Sequence, residues 1–273
     1  MRIPRPLLNY LSRMARPYLR SYGLLATAKI FNRSAMVWTP SAERVVVLAP
    51  HMDDEVIGCG GSLARHVASG AQVTVIYFTD GRDGGRIPDG QGEGTPSRDA
   101  LARIRKAEAH AALAALGITN AVFLDGVDCQ VLDTPGLADR LREQLLAIRP
   151  EVVYLPFFLE EHPDHRAISY LLLAATRGTG MGFRCHGYEV WTPLFPNCLV
   201  NIDATVEQKR SAIAHYHSQT ADFDYVHTGL GLNAYRSGAL LGPCRYAEAF
   251  CALPLPDYLQ LFERYAGGTS AAT

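Results

Sequence analysis

"RVVVLAPHMDDEVIGCGG", Arg44 to Gly61, is the stretch on which the fold turns. Its first six residues form an unbroken aliphatic run, rich in β-branched valine. A strand buried on both faces reads this way, and such strands belong to parallel sheets covered by helices. The run ends in His51, Asp53, Asp54 and Glu55, an imidazole and three carboxylates within five residues, and then in glycines. In open parallel sheets, ligands sit beyond the carboxyl ends of strands, where the strand order reverses. The chain therefore places its densest polar cluster where such a sheet has its binding crevice.

Outward from this stretch the pattern alternates. "SLARHVAS" (62–69) suits a helix, "QVTVIYFT" (72–79) a strand, and "RDALARIRKAEAHAALAALG" (98–117) a helix with a glycine stop. "AVFLDG" (121–126) and "EVVYLPFF" (151–158) read as strands, "LADRLREQLLAI" (137–148) and "HRAISYLLLAATRG" (165–178) as helices. Alternating strands and helices of these lengths predict right-handed βαβ units, hence an α/β fold with a mainly parallel sheet and helices on both faces. From about residue 180 the pattern loosens. "FRCHGYEVW" and "RYAEAFCAL" suggest extra C-terminal strands, and "VEQKRSAIAHYH" a helix. The loop Gly81 to Ser97 holds six glycines and two prolines. A connection of that length and composition predicts a lid, with Arg82, Arg86 and Asp89 as solvated or substrate-touching residues.

The remaining bulk properties narrow the function class. A net charge of -1 over 273 residues gives no global attraction to nucleic acid. No apolar run approaches the roughly 20 residues that span a bilayer. Cys59, Cys129, Cys185, Cys198, Cys244 and Cys251 are scattered, which predicts mostly buried thiols of a reducing compartment rather than a disulfide framework. Residues 1–42 carry seven basic residues and no acid. Leu7, Leu8, Leu11 and Leu19 share one side of a helical wheel, with Arg13, Arg16 and Arg20 on the other. Two readings of that segment stand: an amphipathic helix packed on the protein's own body, and one lying on anionic lipid. Pro17 introduces a kink in either. The expected location is the cytoplasm, with the inner membrane face as the site of any peripheral contact, and the oligomeric state is left open. The expected division is a basic segment 1–43 followed by one domain, 44–273.

A second cluster, "EEHPDH" (Glu160 to His165), follows the fourth strand of the alternation. With the common 3-2-1-4-5 strand order, the first and fourth strands are neighbours, so the two clusters meet although about 110 residues separate them. Two imidazoles and several carboxylates converging there suit a divalent cation such as zinc, with one position open for water. A carboxylate left over beside that water is a general base, and a spare imidazole an acid or an oxyanion partner. Singly, such residues serve more often as caps and turns. Two clusters at two strand ends change that balance. "GCGG" also invites a dinucleotide reading, but G-x-G-x-x-G needs glycine at position 63, where Leu63 stands, and the acidic run would repel a pyrophosphate.

"PHMDDEVIGCGG" resembles the H-P-D-D-E-x-x-x-x-G-G signature of the PIG-L/LmbE-like zinc deacetylases, and "HPDH" resembles that family's second motif. "FTDG" (78–81), "RKAEAHAALAALG" (105–117), "KRSAIAHYHSQ" (209–219) and "YAEAF" (246–250) extend the likeness over about residues 44 to 255. The resemblance implies a Rossmann-like fold and removal of the acetyl group from an N-acetylglucosamine conjugate, small-molecule or lipid-linked. It makes His51, Asp54 and His165 the ligands of one Zn2+. It also makes Asp53 the general base, His162 the oxyanion stabiliser or acid, and Arg105 and Asp128 the sugar contacts. Asp164 is then expected to orient His51 or His165, or to cap the following helix. Glu55 is expected to hold the loop, and Ser218 and Gln219 to be structural or rim residues. Met52 stands where the family has proline, and Glu160 and Glu161 where some members carry a tyrosine. Two rival functions are an amidase acting on a larger acyl or thiol conjugate and a sugar-binding protein without turnover. Retention of Asp53 speaks against the second.

Overall fold

The computed structural model describes residues 35–84, 97–220, 223–240 and 243–270. The basic segment up to residue 34, and the part of the glycine-rich loop that holds Arg86 and Asp89, lie outside the described residues.

Eight strands form one sheet: β1 (Met36–Val37), β2 (Arg44–Ala49), β3 (Gln72–Thr79), β4 (Asn120–Gly126), β5 (Val152–Pro156), β6 (Arg184–Tyr188), β7 (Cys198–Asn201) and β8 (Ala247–Pro254). Their order is β1-β7-β8-β6-β5-β2-β3-β4. The predicted 3-2-1-4-5 arrangement is the run β4-β3-β2-β5-β6, parallel throughout. The extra C-terminal strand β8 inserts antiparallel between β6 and β7. The two-residue strand β1 pairs with β7, so the sheet reaches back to Met36, ahead of the expected boundary at 43.

Strand β2 is buried on both faces, as its composition requires. Val46 and Leu48 face a core completed by α3 (Leu137–Ile148), α4 (Pro163–Thr176) and α8 (Leu255–Ser270). Val45, Val47 and Ala49 face a core completed by α1 (Asp54–Ala68), α2 (Arg98–Ala115) and α5 (Val206–Ala214). Two short helices, α6 (His217–Thr220) and α7 (Tyr225–Ser237), follow α5. All six cysteines are free thiols, and four are buried. No helix among the described residues is long and apolar enough to cross a membrane.

The first helix corrects the sequence reading. It begins at Asp54 rather than at Ser62, so "DEVIGCGG" (54–61) is helix and not loop, with Asp53 as the residue before it. The glycines that lower its helix propensity serve packing instead. A Cβ on Gly58 would sit 2.3 Å from the Tyr188 ring, and one on Gly61 would sit 2.8 Å from Ile202. The helix thus lies closer to the sheet than side chains would permit. Gly58→Ala is expected to destabilise by about 1–2 kcal/mol, because Tyr188 is pinned by its hydroxyl bond to the Leu48 carbonyl (3.0 Å) and overpacking outweighs the helix-propensity gain. Urea denaturation reads this, and a stabilised variant would refute it.

Candidate active site

The carboxyl ends of β2 and β5 lie side by side, with Val47 opposite Tyr154. Each leads directly into a helix. β2 delivers His51, Asp53 and Asp54 at the start of α1, and β5 delivers His162, Asp164 and His165 at the start of α4. Pro163 occupies the first turn of α4 and His162 is its N-cap, accepting from the Asp164 amide through Nδ1 (3.2 Å). The helix therefore starts two residues earlier than expected, and the cap is His162 rather than Asp164.

His51, Asp54 and His165 form a contiguous set. The Asp54 carboxylate lies 3.3 Å from His51 Nδ1 through Oδ2 and 3.2 Å from His165 Nε2 through Oδ1. The three imidazoles of His51, His162 and His165 present ring nitrogens within 4.8 Å of one another. Both ring nitrogens of His165 are buried without a hydrogen-bond partner among the described residues. Close approach without hydrogen-bond alignment is how two ligands of one cation stand. Ligands about 2.0–2.1 Å from a tetrahedral zinc are separated by roughly 3.4 Å. The donor set, two nitrogens and a carboxylate oxygen, suits a borderline divalent ion, so these residues fit the expected metal.

Outer partners fix the imidazoles. Asp164 Oδ2 lies 3.2 Å from His51 Nε2 and accepts from the Cys129 amide (2.7 Å). Of the two histidines left open by the sequence, it is therefore His51 that Asp164 contacts, leaving Nδ1 to face Asp54. Glu160 Oε2 stands 3.7 Å from His165 Nδ1. Its carboxylate is held by the amides of Val190, Trp191 and Thr192. Burial pulls the His51 imidazole down, but its bonds to Asp164 and Asp54 overcome this and raise it to about 10. Burial works to raise Asp54, yet the facing His165 and His51 hold it well below the usual carboxylate range.

Asp53 is placed differently from its neighbours. Its backbone has φ 143°, a region L-residues rarely occupy. Its side chain meets a single cation, Arg105 Nη2 at 3.8 Å, among the described residues. Burial pushes its carboxyl up to about 7, against the pull of Arg105. A carboxyl poised there suits a group that takes and returns a proton near neutrality. His162 is driven the other way, to about 4, first by burial and then by His51 and His165. Neutral, and accepting at Nδ1, it carries its proton on Nε2.

Arg105 is almost fully buried. It donates to the Met52 carbonyl (2.7 Å), so it braces the strained turn as well as lining the cleft. Its Nε is unpaired among the described residues, as is Asp128 Oδ1, and both residues line the cleft. Glu55 is fully buried and accepts from Tyr216 Oη (2.5 Å) and from the Asp53 amide (3.2 Å). These bonds tie the first turn of α1 to Tyr216 and to the backbone of Asp53. Ser218 bonds Glu108 (2.6 Å) away from the chemistry, and Gln219 lines the cleft. Arg82 pairs with Asp80.

The cleft encloses about 240 Å³ and is walled also by Ile57, Cys129, Val190, Trp191 and Tyr225. Of these, Trp191 and Tyr225 were not foreseen. Neither belongs to a charged cluster, and only the fold brings them here.

Known proteins resemble this chain in sequence and fold. Residues 46–176 match the PIG-L family model, described as GlcNAc-PI de-N-acetylase. A 1D-myo-inositol 2-acetamido-2-deoxy-alpha-D-glucopyranoside deacetylase of Rhodococcus erythropolis is 36% identical over 58% of this chain and 61% of its own length. The chain spans about half to three fifths of the length of the first such relatives it matches. Among solved structures, a conserved protein of Thermus thermophilus is 31% identical, with TM-score 0.64 over 76% of this chain and 93% of that one. The N,N'-diacetylchitobiose deacetylase of Pyrococcus horikoshii shares the fold at 21% identity, with TM-score 0.67 over 93% and 94% of the two chains. With both sequence motifs joined at one crevice of the expected sheet, residues 46–176 are a PIG-L family domain.

Proposed function

We propose that the protein is a zinc-dependent hydrolase that removes the acetyl group from an N-acetylglucosamine conjugate, releasing acetate and a free amino sugar. The observation that carries this reading is the pairing of His165 Nε2 with Asp54 Oδ1 at 3.2 Å, unaligned for a hydrogen bond, beside the lightly engaged carboxyl of Asp53. The names of the relatives support the substrate class, since they act on N-acetylated glucosamine units.

His51, Asp54 and His165 would hold a divalent ion, which would supply Lewis acidity toward the acetamide carbonyl and lower the pKa of water. Asp53 accepts the proton of the attacking water. His162 Nε2–H donates to the oxyanion of the tetrahedral intermediate. Asp53 then returns its proton to the departing nitrogen, so that amide and water become acetic acid and an amine, and the acid loses its remaining proton as it leaves as acetate. Arg105, 3.8 Å from Asp53, keeps that carboxyl from rising further and holds the Met52 carbonyl in place. Arg105 and Asp128, each with a buried polar atom still unpaired, are the sugar contacts. The free thiols fit a cytoplasmic location.

The test is acetate release from free N-acetylglucosamine and from chitobiose, inositol-linked, nucleotide-linked and lipid-linked forms. Activity is expected to vanish on dialysis against a chelator and to return with Zn2+. Removal of the ion should also lower Tm, because a group bound only by the folded state stabilises it. Acetate release that survives exhaustive chelation would overturn the metal assignment. An absence of release from every conjugate, with zinc bound, would overturn the deacetylase reading.

A further inference from the structure

Beside the reacting cleft lies a second cavity of about 100 Å³. That is several times the roughly 10–15 Å³ one water needs, and enough for an aromatic ring or a short branched alkyl group. The two spaces share Ile57, Val190, Trp191 and Tyr225 as walls. A ligand whose acetamide reaches Asp53 therefore lies next to the side cavity, across these shared walls.

The lining of this cavity has its own chemistry. Trp191, Phe223 and Tyr225 form an aromatic corner, with ring centroids 6.1, 5.8 and 4.8 Å apart. Trp191 is 48% exposed and Phe223 42% exposed, unusual for large rings that sit around a formed cavity. Glu189 brings no free charge, because its oxygens are taken by Arg236 and the Leu194 amide. The polar demand left open is that of Asn233. This residue is 5% exposed and lines the cavity, and its Oδ1 meets no donor among the described residues. A buried carbonyl without a donor is costly, and the amide torsion of asparagine is soft enough to turn Oδ1 toward a ligand.

We propose that this cavity is the aglycone subsite: it takes an apolar group, aryl or short branched alkyl, that is linked to the amino sugar and carries one hydrogen-bond donor for Asn233 Oδ1. The placement of the sugar in the adjoining cleft rests on the hydrolase reading above. A polyhydroxylated aglycone would desolvate most of its hydroxyls against Ile57, Leu232 and the aromatic corner, with few polar groups to meet them. The subsite thus discriminates against such groups as well as selecting for apolar ones.

The experiment measures calorimetric Kd values of the zinc-loaded full chain for three glucosamine glycosides: 4-hydroxyphenyl, phenyl and myo-inositol. They lack the acetyl group and so do not turn over. The 4-hydroxyphenyl glycoside is expected to bind at least about 10-fold more tightly than the inositol one, the range a shaped apolar pocket gives. Asn233→Leu should bring the hydroxyphenyl ligand down to the affinity of the phenyl one. Equal affinities for the aryl and inositol glycosides in the unaltered protein would overturn the subsite, and this comparison needs no variant to fold. Acetate release from the matching N-acetyl glycosides separates the two readings. Selective binding without release sinks the hydrolase and leaves the subsite standing. Release with equal kcat/KM for all three sinks the subsite and leaves the hydrolase.

Discussion

Asp53→Ala is expected to lower kcat for acetate release by about 10²- to 10⁴-fold while the protein still binds one metal ion, the usual contribution of a positioned general base. The geometry separates this residue from its neighbours. Asp54 faces two imidazoles and is held as a carboxylate, whereas Asp53 is raised to about 7 and faces Arg105. Asp54→Ala should therefore empty the metal site, and Asp53→Ala should not. Steady-state kinetics with metal content by mass spectrometry distinguishes them. Unchanged kcat in Asp53→Ala would remove Asp53 from the chemistry. Asp53→Gly adds a sharper contrast. It relieves the backbone strain at φ 143° and removes a buried carboxyl beside Asp54 and Glu55. The glycine variant should be as inactive as the alanine one, yet more stable than the natural chain by about 1 kcal/mol. A purely structural residue would show loss of stability in both.

Lys209→Met is expected to destabilise the protein by about 3–5 kcal/mol, the cost of leaving a buried charge without its partner. Lys209 and Glu248 are both fully buried, with Nζ 2.7 Å from Oε1. Lys209 Nζ also donates to the Ile57 carbonyl (2.7 Å), and Glu248 accepts the amides of Gly61 and Ser62 (2.8 Å each). In an ordinary helix the Ile57 carbonyl and the Gly61 amide pair with each other. Here the ion pair meets both, so the helix carrying Asp54 is pinned to β8 and α5 through its own backbone. With total stabilities of about 5–15 kcal/mol, this loss is a large share. Urea midpoints of Lys209→Met, Glu248→Gln and the double variant form the test. The double variant should recover part of the loss, because no lone charge remains. Additive losses, or a single loss under about 1 kcal/mol, would show that the pair does not hold the helix.

Much of the site was readable before any coordinates. The aliphatic run of β2 has one stable environment, between two helical layers. Its polar end then has one place to be, at the crevice where strand order reverses. The second cluster had to meet it because β5 neighbours β2 in the order that right-handed crossovers favour. The start of α1 was misread because Gly58, Gly60 and Gly61 carry a loop's propensity. The sheet, through Tyr188, Ile202 and Lys209, makes their lack of side chains the condition for contact. Tertiary packing overrides local propensity at such places.

By itself, then, the sequence determined the layers, the strand order from β4 to β6 and the two clusters that converge, because these follow from periodicity and from the cost of burying charge. Only the tertiary structure decided which histidine Asp164 orients, that Arg105 braces the turn at Asp53, and that Trp191, Tyr225 and Asn233 wall the space beside it. Those roles depend on distances between segments remote in the chain, and no local pattern encodes a distance across a sheet.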